Sequence, residues 1–354
     1  MKLLTGKNKY IKMSILAFLM IMFLIFAFLF APKIKRFLQN RSRGNIVWGE
    51  PDKEQDSTQG VPLVITIDDG YCLQAVVMLT SLMENAEENT FYKIDVLVPN
   101  EFSEDSKKKI LSIQETYGKN CKIEFINMKN CFTNSYISKH FTNTVYYRLR
   151  IPDVLQTRKR CIYLDADMIV NSDLTELYDV DLHDKWLGGV ADSVRGYKNE
   201  KERVKRESYR KSFEIESLQE YINSGVLLLD LDVLRKNNIE EKFEAFLKKY
   251  KDPSQHDQTV INSVCYGKIL SLPLKFNTQA FMYTHKAYGK DEEKFSQIFP
   301  QKEWEEAWEN PRIIHFAGEK PWNDPSTFWI EKWWNTARKT QYWKEIVEKF
   351  RTTK

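Results

Sequence analysis

Cysteine is scarce in this chain, and what there is forms no framework. Cys72, Cys121, Cys131, Cys161 and Cys265 are odd in number and never form a CxxC pair, which argues against a disulfide scaffold and a structural zinc site. Cys161 lies within an apolar run and reads as a small packing residue. A one-sided charge is missing too. A net charge of +4 over 29% charged residues is close to balanced, without the basic excess of a nucleic-acid binder. There is no internal repeat and no low-complexity tract. What remains, 42% hydrophobic and 13% aromatic residues, is too apolar for a disordered chain and enough for one large core or two small ones.

One segment lacks charge altogether. From Met13 to Pro32 the sole polar residue is Ser14, and at helical rise that length matches a hydrocarbon layer of about 30 Å. A buried core helix is seldom this uniformly apolar. A cleaved signal peptide fits poorly, because a cut after Ala31 leaves Leu29 at the critical upstream position. The expected organisation is a basic tail over 1–12, a transmembrane anchor over 13–31 and a polar stem over 32–60. A single α/β domain then spans 61–325, followed by a Trp-rich helical tail over 326–354.

At Val61 the pattern becomes short apolar runs alternating with helical periods. Strands are expected at Val61–Ile67, Tyr92–Val98, Lys122–Asn127, Cys161–Leu164, Leu187–Ala191 and Gly225–Leu229. Helices are expected from Leu73 to about Asn85, over Ser103–Tyr117, Ile239–Tyr250 and Asp257–Tyr266. Alternation at these lengths implies βαβ units and a parallel sheet. Ligands of such sheets sit beyond the carboxyl ends of the strands, where this chain places Asp68-Asp69-Gly70-Tyr71, Asp165-Ala166-Asp167, Asp230-Leu231-Asp232 and His315. Asp165 and Asp167 flank one residue on a turn and can face one hard divalent cation. Two further D-x-D triplets, Asp179/Asp181 and Asp230/Asp232, read as caps or turns.

The wider pattern resembles glycosyltransferase family 8, which includes bacterial lipooligosaccharide galactosyltransferases and glycogenin. CIYLDADMIV is similar to its metal-binding strand, Asn223-Ser224-Gly225-Val226-Leu227-Leu228 to its N-[AS]-G-V-x-L strand, Asp257-Gln258 to its D-Q pair, and HFAGEKPW to its H-x-x-G-x-x-K-P-W ending, with a spacer one residue shorter. The resemblance runs in order from Val61 to Trp322 and implies a GT-A-like (Rossmann-like) nucleotide-sugar-binding domain. The implied enzyme is a metal-dependent retaining transferase that moves a hexose from a UDP-sugar to a glycan or glycolipid acceptor. It implies Asp165, Asp167 and His315 as metal ligands, and the imidazole favours Mn²⁺, with Mg²⁺ possible. Asp68 and Tyr71 match positions holding uracil and ribose, although Gly70 stands where many relatives have Asn. Arg148, Asp192 and Asn223 fall at or within donor-site motifs. Asp257 matches the residue bonded to the hexose, and Gln258 the one nearest the anomeric carbon. Gly318 would let backbone approach the phosphates, and Lys320 would put charge on the departing diphosphate.

Rival readings leave other marks. The run Ile65-Thr66-Ile67-Asp68-Asp69-Gly70 resembles the T-F-D-D-G motif of polysaccharide deacetylases. That class needs two histidines one helical turn apart, and none of His140, His183, His256, His285 and His315 is so paired. An inactive membrane-tethered carbohydrate-binding protein would have lost Asp165, Asp167 or His315 first. In the tail, Phe328, Trp329, Trp333, Trp334 and Trp343 alternate with basic residues; they suit a headgroup region or docking on the domain. The stretch Arg195 to Glu220 is highly charged and reads either as a cover over the acceptor cleft or as a solvated helix. Lys2, Lys7, Lys9 and Lys12 precede the anchor, and Lys33, Lys35, Arg36, Arg41 and Arg43 follow it. The bias nearly cancels. Because a short lysine-bearing tail resists translocation and large domains do not, a type II, Golgi-like lumenal domain is expected over the cytoplasmic face of a bacterial membrane.

Overall fold

The computed structural model describes residues 46–47, 60–129, 131–132, 142–251, 253, 255–283 and 292–351. The basic tail and the anchor expected over 13–31 lie outside these residues, as does most of the stem. Among the described residues no helix is long and apolar enough to cross a membrane. Within the expected stem, Ile46–Val47 forms a two-residue strand, β1.

The first half alternates as its pattern predicts. β2 (Val61–Thr66), helix α1 (Cys72–Glu84), β3 (Tyr92–Val98), helix α2 (Glu104–Tyr117) and β4 (Cys121–Asn127) follow one another. α1 is buried from Cys72 to Met83, as befits a helix with no polar stripe. α2 opens at Ser103, whose side chain accepts from the Ser106 N–H, and carries Glu104 and Asp105 in its first turn, where the helix dipole favours negative charge. β5 (Arg160–Leu164), β6 (Met168–Val170), β7 (Leu187–Ala191), β8 (Ile222–Asp230) and β9 (Ile269–Leu272) continue the chain, and β10 (Thr278–Gln279) and β11 (Ile313–His315) end the strand series.

The sheet is mixed, not parallel. Its order is β1-β4-β3-β2-β5-β8-β7-β9. β2, β3, β4 and β5 run parallel, but β8 is antiparallel to both β5 and β7, and β1 is antiparallel to β4. A strand buried on both faces is a plain apolar run whichever way it points, so periodicity carries no direction. Both faces are covered: Leu63 and Ile65 of β2 join one apolar cluster, and Val64 between them joins another. A second sheet of order β10-β11-β6 stands at the site end.

The charged stretch becomes helix α3 (Glu200–Ser212), which has no buried residue and is laced by pairs such as Arg203–Glu200 and Arg210–Glu207. It is a solvated helix. Helices α4 (Ile239–Lys249) and α5 (His256–Val264) follow. The tail folds as α6 (Ile330–Ala337) and α7 (Trp343–Arg351). Its aromatics dock on the domain: Trp333 is fully buried, 5.1 Å from the Trp322 ring, and the Trp334 indole N–H donates to the Pro321 carbonyl at 3.0 Å.

Candidate active site

Strand order reverses between β2, which leads outward to β3 and β4, and β5, which leads to β8 and β7. That switch point opens a crevice at the carboxyl ends. β2 delivers Asp68 there and β5 delivers Asp165. Because β8 runs against β5, Leu164 lies opposite Val226 and the Asp165 N–H donates to the Gly225 carbonyl at 2.9 Å. The start of β8, Asn223 to Gly225, therefore enters the crevice. Its end does not. Asp230 sits opposite Arg160 at the far edge, where its side chain accepts from the Val233 N–H and caps a helix. The Asp181 side chain accepts from the His183 N–H in a turn, so both extra triplets are structural.

Asp165, Asp167 and His315 each place one ligand atom within 4.8 Å of the others. The His315 Nε2 lies 3.9 Å from Asp165 Oδ2 and 3.4 Å from Asp167 Oδ1. Its Nδ1 lies 2.9 Å from the Asn277 side-chain oxygen, and the Asn277 amide in turn donates to the Asn223 side-chain oxygen at 2.9 Å. Asn277 is thus oriented to accept from the Nδ1 side of the ring, which fixes the imidazole plane and turns Nε2 toward the carboxylates. Gly225 clears the space: a Cβ there would stand 2.4 Å from His315 Cε1 and 2.9 Å from Asp165 Oδ2. Two carboxylates and an imidazole, held from behind, suit a divalent cation of the Mn²⁺ kind.

Asp167 is buried rather than on a solvent-facing turn, because β6 starts at the next residue and pairs with β11. The Lys320 ammonium contacts its Oδ2 and also donates to the Phe316 carbonyl at 2.8 Å. Burial works against the Asp167 charge, but Lys320 and His315 outweigh it and hold the carboxyl well below the usual range.

A polar chain leads away from this centre. Arg148 is buried, with its guanidinium 2.9 Å from Asp165 Oδ1 and 3.1 Å from Asp257 Oδ2, 4.4 Å from the Tyr163 ring centroid, and donating to the Ser224 carbonyl at 2.7 Å. It is no solvated helix charge. The Tyr163 hydroxyl donates to Asp165 Oδ1 at 2.6 Å. Asp257, in the first turn of α5, accepts from the Ser224 hydroxyl at 2.8 Å, and burial pushes its carboxyl up to about 6 against the pull of Arg148. The Gln258 side-chain oxygen accepts from the Ser224 N–H at 3.1 Å and from the Asn223 amide at 3.2 Å, while its NH₂ donates to Asp192 Oδ2 at 3.3 Å. Asp192 also accepts from Asn223 at 3.4 Å and from the Val194 N–H at 2.8 Å.

At the other end lies the loop after β2. Asp68 accepts from the Tyr71 N–H at 3.2 Å and from the Thr142 hydroxyl at 2.7 Å. Tyr71 is 37% exposed, with its ring edge against Trp322 at 6.3 Å. Gly318 has φ 81°, and nothing lies within 4 Å of where its Cβ would be; the left-handed backbone explains the glycine, and the open space leaves room for a ligand. All twelve residues singled out from the sequence converge on this crevice or its rim. Asn277, Tyr163, Thr142 and Gly225 were not singled out. Tyr163 and Gly225 lie inside matched motifs, whereas Asn277 and Thr142 carry no signal along the chain.

The comparisons agree with this architecture. The profile of glycosyl transferase family 8 matches residues 62–326. "General stress protein A" of Bacillus subtilis is 30% identical over 268 residues, covering 74% of this chain and 87% of that protein. A "Lipopolysaccharide 1,2-glucosyltransferase" of Escherichia coli is 26% identical over 325 residues, covering 88% of this chain and 83% of the relative. Among solved structures, the galactosyltransferase LgtC with donor and acceptor sugar analogues superposes with TM-score 0.63 at 24% identity, over 81% of this chain and 100% of that one. The bifunctional glycosyltransferase WbbM gives 0.68 at 23% identity over 83% of this chain, which spans 52% of WbbM. By profile and fold together, the chain belongs to glycosyltransferase family 8 and is a glycosyltransferase.

Proposed function

We propose that the enzyme transfers a hexose from a UDP-sugar to a glycan or glycolipid acceptor with retention of anomeric configuration. Manganese is the proposed metal, held by Asp165, Asp167 and His315. The observation that carries this reading is the convergence of those three ligand atoms within 4.8 Å at the switch point, between the Asp68–Tyr71 loop and the Asp192–Asn223–Gln258 network. The deacetylase reading has no such support: Asp69 accepts from Ser103, and the metal-competent group among the described residues lies elsewhere.

In this reading Asp68 and Tyr71 hold uracil and ribose. Arg148, Asp257, Asp192 and Asn223 orient the hexose, and Gly318 gives the phosphates access. A bound divalent cation supplies positive charge to the diphosphate. Lys320 adds a second charge on the leaving side. Gln258 is a poor nucleophile, since its amide oxygen already accepts two hydrogen bonds. The acceptor hydroxyl therefore attacks the anomeric carbon from the face the diphosphate leaves. The bond to UDP breaks, and the hydroxyl proton passes to a diphosphate oxygen.

The test is a panel of UDP-glucose, UDP-galactose and their N-acetyl forms with manganese, read by donor hydrolysis and product linkage. We expect one preferred donor, an α-linked product, and loss of turnover in Asp165→Asn and Asp167→Asn. Near-normal turnover of either variant with manganese saturating, or a glycosyl group trapped on Gln258, overturns the mechanism.

A further inference from the structure

The loop Asp68-Asp69-Gly70-Tyr71 is gripped once per residue, each time by a different part of the chain. Asp68 accepts from the Thr142 hydroxyl at 2.7 Å. Asp69 accepts from the Ser103 hydroxyl at 2.8 Å and its N–H at 3.1 Å. Tyr71 meets Trp322 in a T-shaped contact. Gly70 has no side chain to be held, and here the grip comes from the far end of the sequence: the Lys349 ammonium donates to the Gly70 carbonyl at 2.9 Å, across 279 residues. α7 is fixed for that contact. Glu345 pairs with Lys109 of α2 at 2.9 Å, and Phe350 packs on Trp322 with ring centroids 5.8 Å apart. Among the described residues, the side chain that hydrogen-bonds to the loop's glycine is thus a cation, carried on a helix held to α2 and to Trp322.

We propose that Lys349 is a positioning residue for the nucleotide end of the donor, doing from the C-terminal helix what a side chain at Gly70 does not. This rests on the reading that Asp68 and Tyr71 hold uracil and ribose. The Lys349 bond fixes the carbonyl between those two residues, so it sets the spacing of the Asp68 carboxylate and the Tyr71 ring before the nucleotide arrives. The gain is in nucleotide affinity. It is absent from the reacting bonds, which lie toward Asp165 and Gln258, so the residue acts on KM and leaves kcat alone.

The experiment uses the full-length chain and two readouts: UDP binding by calorimetry with manganese present, and donor kinetics. A typical intramolecular hydrogen bond contributes about 1 kcal/mol, so Lys349→Met should weaken UDP and raise the donor KM roughly three- to tenfold with kcat within about twofold. Lys349→Arg should restore both, and Lys332→Met, which removes an exposed tail lysine, should change neither. Equal UDP affinity in wild type and Lys349→Met overturns the proposal. So does a fall in kcat with KM unchanged, which would mark a merely structural role. If wild type itself binds no UDP, it is the proposed function that fails, and the experiment separates the two.

Discussion

Asp95 shows how a single residue can hold chemistry without belonging to the site. It sits in β3 and is buried, its Oδ2 without a hydrogen-bond partner, and Arg158 stands 3.9 Å away. Burial pushes its carboxyl from an ordinary 3.8 to about 7, against Arg158. The folded chain then binds this proton more tightly than the unfolded one, so stability present at low pH is lost as pH rises from about 4 to about 7. A shift of that size corresponds to roughly 4 kcal/mol as a ceiling. Asp95→Asn should flatten this slope, giving a melting temperature that holds level where the wild type's falls. Parallel melting curves for the two proteins across pH 4 to 8 would show the group does not titrate in that window. At this scale the sequence was most informative about carboxylates in motifs. Asp165 and Asp167 stood out from two other D-x-D triplets because their strand matched a family motif. Asn277 and Thr142 did not, because a single amide or hydroxyl in a loop has no spacing to read.

Elements explain why the site assembles. β8 enters against β5, and that reversal brings Asn223, Ser224 and Gly225 to the crevice while sending Asp230 away. The run itself was legible and its direction was not; Asn223 at its start was reached through its motif, and Asp230 at its end was read as a cap. Gly225 is the consequence that can be tested. Its Cβ would fall 2.4 Å from His315 Cε1, so Gly225→Ala must push the imidazole off Asn277 and away from Asp165. Manganese affinity, read by paramagnetic titration, should fall about ten- to hundredfold, the usual effect of disturbing groups behind a ligand. Unchanged affinity would mean that His315 is not a ligand. The tail offers the opposite lesson. Its aromatics fit a lipid interface or a core equally well by composition, and Trp333, with no exposed surface, decides for the core.

At the scale of the whole molecule, an anchor over 13–31, outside the described residues, would set where the reaction takes place. The lysines before it and the basic residues after it nearly balance, and a short lysine-bearing amino terminus favours type II. A bacterial host, as the relatives compared above have, would supply nucleotide sugars from the cytoplasm, and for that case we propose a domain on the cytoplasmic face. Protease added to sealed inside-out vesicles should digest a tag placed after Lys354 without detergent; a protected tag places the domain on the opposite side. The sequence by itself determined the class of fold and the order of the motifs, because apolar runs and short motifs are local patterns. Only the tertiary structure decided the strand directions, the contact of His315 with Asn277, the burial of Asp167 and the reach of Lys349 to Gly70. Each of these depends on groups far apart in the chain, and no periodicity records which of them will meet.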